Sequence, residues 1–161
     1  MHGKSIAFHR PAAMLSAERL ILEHLQLASV AADLLRHAEA RPIDPASIAT
    51  ARWSLSRQLL AHLATEDRLL YPMLRRSPDP ATAALAARFA AELGGLADTF
   101  KDYMLGWTPE RMQRDPDGFE RDTHALFERL GERIRREEAE LYRHIPDMGT
   151  VAKVDVAARR A

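Results

Sequence analysis

Two residues that can bind a metal ion or move a proton, His62 and Glu66, stand four positions apart in the middle of the chain. On an α-helix this spacing places an imidazole and a carboxylate one above the other on a single face. The rest of that face is apolar and comprises Leu55, Leu59, Leu69 and Met73. A carboxylate among apolar side chains needs a metal ion, a cationic side chain or hydrogen bonds, because burying it unpaired costs several kcal/mol. We therefore expect a polar site inside a helical protein.

The composition limits which ligands such a site can use. The 161 residues include no cysteine, which excludes disulfides, thiolate zinc sites, iron–sulfur clusters and cysteine nucleophiles. Histidine, aspartate and glutamate remain, and they suit metals such as iron or manganese. The length agrees with one domain that buries a substantial core without cross-links.

The charge balance argues against several classes of partner. The chain has 23 basic and 23 acidic residues, so no overall field attracts nucleic acid or an anionic membrane. No apolar run approaches the roughly 20 residues of a membrane span, and the first 13 residues lack the apolar segment of a signal peptide. We expect no nucleic-acid partner, no membrane insertion and a cytoplasmic location.

Apolar residues at helical spacing predict four long helices, over residues 14–40, 44–76, 80–107 and 119–145, with a short helical turn at 110–114 in the last link. Proline and glycine are concentrated in the links, where they end or begin helices. We predict an all-α protein, an up-down-up-down antiparallel four-helix bundle over residues 14–146. Residues 1–13 are expected to form a flexible arm, and residues 147–161 a tail that is disordered or docks on a partner.

Details of the predicted helices bear on the site. His24 lies on the apolar stripe of the first helix, and it is as far from the turn near Ile43 as His62 is. An antiparallel helix pair therefore places the two imidazoles at one height.

Gly94 and Gly95 weaken the third helix and predict a close contact or a slight bend. In the fourth helix the expected inward residues are Phe127, Leu130, Ile134, Leu141 and Ile145.

The fourth helix repeats part of the second. The run Glu137-Glu138-Ala139-Glu140-Leu141-Tyr142 matches Glu66-Asp67-Arg68-Leu69-Leu70-Tyr71, which places Glu137 at the position of Glu66 and Arg133 at that of His62. With Leu22-Glu23-His24-Leu25 and the run to Leu70-Tyr71-Pro72, these motifs resemble the hemerythrin family, specifically the bacterial hemerythrin-like HHE cation-binding domains. The resemblance covers residues 16–146. It implies a four-helix bundle around a carboxylate-bridged di-iron centre.

The resemblance implies a metal site of four ligands, His24, His62, Glu66 and Glu137. Family members that bind two irons also carry a histidine on helix 3 and another four residues before the helix-4 acid. This chain has Leu93 or Glu92 at the first place and Arg133 at the second. We therefore expect no complete di-iron centre, and the remaining donors suit one iron, manganese or zinc ion, or none.

An opposite interpretation of the same residues starts from Arg133. Its guanidinium can take the place of the metal and neutralise Glu66 and Glu137, which leaves a vestigial site. Glu138 remains an alternative to Glu137, because a shifted frame places Ile134 where the histidine is missing. Glu92 turned inward would partly restore the lost ligand.

The other candidates have simpler interpretations. His37, His124 and His144 lie far from the site level or near helix ends, where capping or exposure is expected. The tryptophans and tyrosines are expected to pack in the core and at its rim. They are Trp53, Trp107, Tyr71, Tyr103 and Tyr142.

Three functions are consistent with this pattern. The first is a depleted metal site that binds or senses a metal ion, O2 or NO without catalysis. The alternative is a metal-free four-helix protein that regulates a bacterial signalling partner. A di-metal oxidase or repair enzyme ranks last, because the ligand set is short and no further nucleophile or acid–base group accompanies it. We expect no enzyme.

Overall fold

The computed structural model describes residues 15–146, and this part of the chain is helical without any strand. The predicted arm, residues 1–13, and the predicted tail, residues 147–161, lie outside the described residues. None of the helices between residues 15 and 146 is long and apolar enough to cross a membrane.

Seven α-helices follow one another. They are α1 (Ala17–Glu39), α2 (Pro45–Thr65), α3 (Tyr71–Arg75), α4 (Pro80–Leu93), α5 (Leu96–Gly106), α6 (Pro109–Arg114) and α7 (Pro116–Arg136). A π-helical turn, Glu66–Leu70, joins α2 to α3. A second π-helical turn, Glu137–Leu141, continues α7 into a short 3-10 turn at Tyr142–His144. All four predicted helical segments are present, as is the short helix at 110–114.

Five helix N-termini are fixed by a polar side chain that accepts a hydrogen bond from the first turn. These caps are Ser16, Asp44, Asp79, Thr108 and Asp115. Such caps are each worth about 1 kcal/mol, and the last four are followed by a proline at the first helical position. Capping by Asp115 explains why α7 begins at Pro116, three residues before the predicted start.

The third predicted helix is broken rather than slightly bent. Gly95 has φ 82°, the left-handed conformation that favours glycine. A Cβ on Gly94 would collide with the carbonyl oxygen of Ala90. The segment therefore divides into α4 and α5, and both glycines are needed at the break.

The helices pack around two apolar clusters. Helix α1 contacts α2 and α7, α2 contacts α5, α3 contacts α4, and α5 contacts α7. One cluster is centred on Leu34, Leu59 and Phe100, and the other on Leu20, Tyr71 and Phe89. The polar residues of the candidate site interrupt the apolar stripes where one cluster gives way to the other.

The π-helical turn corrects the predicted stripe of the second helix. Leu69 is 55% exposed and Met73 is half-buried, whereas Leu70, Tyr71 and Leu74 are buried. The turn closes with a hydrogen bond from the Tyr71 N–H to the Glu66 carbonyl, five residues back, and so adds one residue to the helix. Every side chain after Glu66 is shifted around the axis.

The inward face of α7 also differs in part from the prediction. Leu130 and Leu141 are buried as expected, but Phe127, Ile134 and Ile145 are only half-buried. The buried positions along this segment include Thr123, Leu126, Arg133 and Glu137. An inward face that includes an arginine and a glutamate is not recognised by hydrophobicity alone.

Candidate metal centre

The two predicted histidines meet in the interior. His24 comes from α1 and His62 from α2, both are almost fully buried, and their Nε2 atoms lie 3.0 Å apart. The rings stand edge to face with centroids 4.7 Å apart. The equal heights inferred from the sequence therefore correspond to a direct contact.

The outer ring nitrogens define the histidine tautomers. His24 Nδ1 lies 2.7 Å from Glu138 Oε1, and His62 Nδ1 lies 2.9 Å from Glu23 Oε2. An ionised carboxylate only accepts hydrogen bonds, so each Nδ1 carries the hydrogen, and in a neutral imidazole Nε2 then presents a lone pair. Two lone pairs thus face each other at 3.0 Å, an arrangement that calls for a cation, either a proton or a metal ion.

Two fully buried carboxylates complete this group. Glu66 Oε2 is 3.4 Å from His62 Nε2, and Glu137 Oε2 is 3.7 Å from His24 Nε2. Glu137 Oε2 has no hydrogen-bond partner among the described residues. One donor atom from each of the four residues lies within 4.8 Å of the others. The structure thus brings together the four predicted site residues, with Glu137 inside and Glu138 at the outer edge.

Each carboxylate is held by a tyrosine that follows the other carboxylate in the sequence. Tyr71 comes directly after the π-helical turn begun by Glu66, and its hydroxyl donates to Glu137 Oε1. Tyr142 follows the turn begun by Glu137, and its hydroxyl donates to Glu66 Oε1 over 2.6 Å. Burial and the carboxylates raise the pKa of both phenols, which stay protonated as donors.

Arg133 lies against both carboxylates, and on Glu66 it bonds to Oε2, the oxygen that also lies next to His62. Its Nε donates to Glu137 Oε1 and its Nη2 to Glu66 Oε2, each over 2.8 Å. Nη1 donates to the carbonyl of Leu93 over 3.1 Å, and Nη2 lies 3.3 Å from Asp67 Oδ1. Burial would lower the pKa of this guanidinium, but the carboxylates of Glu137 and Glu66 outweigh it and raise the pKa. A fixed positive charge therefore lies beside both acids.

The surroundings shift the pKa values of the four groups in different directions. Burial raises the pKa of Glu137, and the charge of Glu66 adds to the effect. Burial opposes the ionisation of Glu66, but hydrogen bonding and charge from His62, together with Arg133, lower its pKa to about 2. Burial lowers the pKa of His24. For His62 the contribution of burial is outweighed by Glu66 and Glu23, and its pKa is raised.

These four residues form a group of donors of the kind that holds a metal ion. Two imidazole nitrogens and two carboxylate oxygens suit iron, manganese or zinc, and Glu23 and Glu138 stand where carboxylates orient ligating histidines. One carboxylate oxygen, Glu137 Oε2, has no other partner among the described residues. The guanidinium of Arg133 already bonds to both acids and compensates their charge.

Sequence reasoning missed some of the residues that support this site. Tyr71 and Tyr142 were expected only to pack, although each stands at the same place in the acid-acid-x-x-Leu-Tyr repeat. For Glu23, the sequence gives only its position next to His24 in the helix-1 motif. Glu92 does not turn inward, because its carboxylate pairs with Arg136 at the surface over 2.8 Å.

Two grooves reach the site from solvent. A groove of about 280 Å³ between α1 and α2 is lined by Glu23, Arg57 and His62 among others. A larger groove of about 510 Å³ runs beside the α4–α5 break and is lined by Leu93, Arg129 and Arg133 among others. Each groove is thus lined by one residue of the site, His62 in the first and Arg133 in the second.

Residues 15–145 match the family model of the hemerythrin HHE cation-binding domain. The match includes all four residues of the candidate site and every helix of the described residues. No curated protein and no solved structure matches the chain.

Proposed function

The chain belongs to the hemerythrin HHE cation-binding family, and on that premise we propose that it binds one metal ion through His24, His62, Glu66 and Glu137. We propose iron, because the family binds iron and the donor set suits it. The proposed role is binding or sensing rather than catalysis.

The observation that carries this proposal is the meeting of His24 and His62. Their Nε2 lone pairs face each other at 3.0 Å while both Nδ1 hydrogens are engaged by carboxylates. The hydroxyl of Tyr142 lies 3.0 Å from His24 Nε2, but its single hydrogen is donated to Glu66. A metal ion would satisfy both lone pairs and the unpartnered Glu137 Oε2.

The proposed number of ions depends on Arg133. Its guanidinium already neutralises Glu66 and Glu137. A second dication close to a guanidinium in a buried site would be strongly repelled. We therefore propose a mononuclear rather than a di-iron centre.

A sensing role is supported by what the site contains. An iron ion prefers more than four ligands, so with these four protein donors it keeps coordination positions free, which is the chemistry needed to bind O2 or NO. The remaining acids beside the histidines, Glu23 and Glu138, hold the imidazoles, and the tyrosines hold the ligating carboxylates. Apart from Asp67, which pairs with Arg133, no further acid, base or nucleophile is left among the described residues that contact the site.

We also propose the up-down-up-down four-helix arrangement for residues 17–144, in which α4 and α5 together form the third helix of the bundle. In the contacts between the α4–α5 segment and α7, residue numbers rise in one segment as they fall in the other: Arg88 contacts Glu140, and Thr99 contacts Arg129. The same holds for α1 and α7, where His24 meets Glu138 and Glu39 meets His124. Both patterns support antiparallel neighbours.

A second candidate function is a metal-free protein that regulates a signalling partner, and the bonding of Arg133 favours it. A guanidinium bonded to both buried acids already compensates their charge without any metal. A proton shared between His24 and His62 would then satisfy the facing nitrogens. In this case a chelator would leave the melting temperature unchanged.

The two candidates separate on metal content. Protein purified without chelator and without metal-affinity resin is analysed for metal per chain and for its visible spectrum. We expect about one ion per chain, lost in His24→Ala and His62→Ala. His124→Ala is the matched control, because this histidine is exposed and pairs only with Glu39 at the surface.

The outcome that overturns metal binding is equally direct. It is the absence of metal after purification and after anaerobic titration with Fe²⁺, together with a melting temperature that neither metal nor chelator changes. Two ions per chain would overturn the mononuclear proposal instead. Metal binding itself is supported if the metal raises the free energy of unfolding, by about 2.7 kcal/mol when the metal concentration is a hundred times its dissociation constant.

A further inference from the structure

The solvent face of α1 carries an apolar row with charges only at its two ends. The row consists of Glu18, Leu22, Leu25, Ser29, Ala32 and Arg36, spaced alternately by four and three residues. All six side chains are exposed, and Leu22 and Leu25 are 59% and 64% exposed. His24 lies on the opposite face of the helix. The row is therefore separate from the candidate metal centre.

This face differs from the outward face of α7. The corresponding exposed positions there are mostly charged or ionisable and include Arg121, His124, Glu128, Glu132 and Arg135. Exposed apolar residues that are contiguous, rather than scattered singly, can mark an interaction surface. A spacing of four and three residues is the pattern by which two helices pack along their length.

We propose that two copies of this chain form a dimer through this row, with α1 of one copy antiparallel to α1 of the other. A second copy of the chain is the proposed partner because the row is complementary to itself when it is turned around. A two-fold axis next to Leu27 places Leu22 opposite Ala32 of the second copy and Leu25 opposite Ser29 of the second copy. Each large side chain thus meets a small one, which lets two helices approach closely.

The charges at the ends select the same arrangement. The same axis places Glu18 opposite Arg36 of the second copy, and this ion pair occurs twice because the contact is isologous. A parallel arrangement would instead set Glu18 against Glu18 and Arg36 against Arg36. In the single chain Arg36 pairs with Asp33 on its own helix, at an exposed position from which the guanidinium can turn.

The size of the row sets the expected strength. It extends over about 18 residues, or about 27 Å of helix. One helix per copy covers less than the ~800 Å² per partner of a stable dimer, so we expect a dissociation constant on the order of 10 µM.

Analytical ultracentrifugation of the full chain, at concentrations from well below to well above the expected dissociation constant, tests the dimer. We expect Leu22→Glu to weaken association at least tenfold. Leu105→Glu is the matched control, because Leu105 is an exposed leucine on α5, away from the row, and it should dimerise like the original chain. A monomer at all concentrations, or equal effects of both substitutions, would overturn the proposal.

Charge reversal tests the orientation. Glu18→Arg should weaken the dimer, and adding Arg36→Glu to the same chain should restore it. Since the chain has no cysteine, Leu25→Cys with Ser29→Cys should cross-link two copies on oxidation. Efficient cross-linking of Ser29→Cys alone, or no recovery in the double reversal, would overturn the antiparallel arrangement. Metal content measured on Leu22→Glu should not change, so this proposal can fail independently of metal binding.

Discussion

The Nε2 atoms of His24 and His62 lie 3.0 Å apart in the interior although the residues are 38 positions apart in the chain. Their outer nitrogens are engaged by Glu138 and Glu23, so each inner nitrogen presents its lone pair to the other. The site therefore favours a positive charge between two helices. Substitutions and pH can test what supplies that charge and what holds the groups around it.

Metal affinity is expected to depend on pH through His62 and Glu137. Burial alone would lower the pKa of this imidazole, but Glu66 and Glu23 raise it above 6.5. Burial and the charge of Glu66 also raise the pKa of Glu137, to about 8. A metal must displace the protons of both groups, so affinity is highest above both pKa values and falls as the pH drops through each, by up to about tenfold per pH unit for each group. Calorimetric titration in two buffers of different ionisation enthalpy should detect proton release. Metal binding without proton release would contradict this expectation.

Removal of Arg133 is expected to destabilise the metal-free chain. Arg133→Met leaves Glu66 and Glu137 buried with less compensating charge, and breaking such a pair costs about 3–5 kcal/mol. Metal should recover part of the loss because it neutralises the same acids. The control is Arg136→Met, which removes ion pairs with Glu92 and Glu140 at the surface. Equal unfolding free energies for the two variants in chelator would show that Arg133 contributes no special stabilisation.

The adjacent acids Glu137 and Glu138 are expected to differ in their effect on metal binding. Glu137→Gln replaces a buried donor and should weaken affinity more than about a hundredfold, whereas Glu138→Gln removes only the charge of the group that accepts from His24 Nδ1 and should cost about 10- to 100-fold. Glu132→Gln, at an exposed position of α7, should change nothing. Competition with a coloured chelator measures all three. A larger loss in Glu138→Gln than in Glu137→Gln would show that Glu137 is not the ligand.

Two glycines are expected to respond oppositely to alanine. Gly95 has φ 82°, so Gly95→Ala should lower the unfolding free energy by about 1 kcal/mol through backbone strain alone, as a Cβ there meets no atom within 4 Å. Gly131 lies inside α7, where a Cβ would lie 3.4 Å from the flexible Arg135 Nη1. Gly131→Ala should therefore stabilise the chain by up to about 1 kcal/mol. Denaturant unfolding measures both, and a destabilised Gly131→Ala would show that this helix position has a packing role.

Much of the fold could be predicted from local signals. Apolar spacing and boundary prolines located all four helical segments, and Gly94 and Gly95 marked the weak point of the third. Hydrophobicity misplaced the inward residues where the helices contain polar groups, as with Arg133 in α7. Leu69 and Met73 were also misplaced, because a π-helical turn closes its hydrogen bond five residues back and rotates the side chains after it around the helix axis.

The sequence by itself determined that His24, His62 and Glu66 lie on inward helix faces at one height, because helical periodicity and distance from a turn are local properties. Only the tertiary structure decided that Glu137 rather than Glu138 lies inside, that Tyr71 and Tyr142 each hold the carboxylate of the opposite helix, and that Glu23 and Glu138 orient the histidines. These contacts join residues on different helices. They depend on the rotation of each helix at its π-helical turn, which packing against the neighbours sets and local propensity does not.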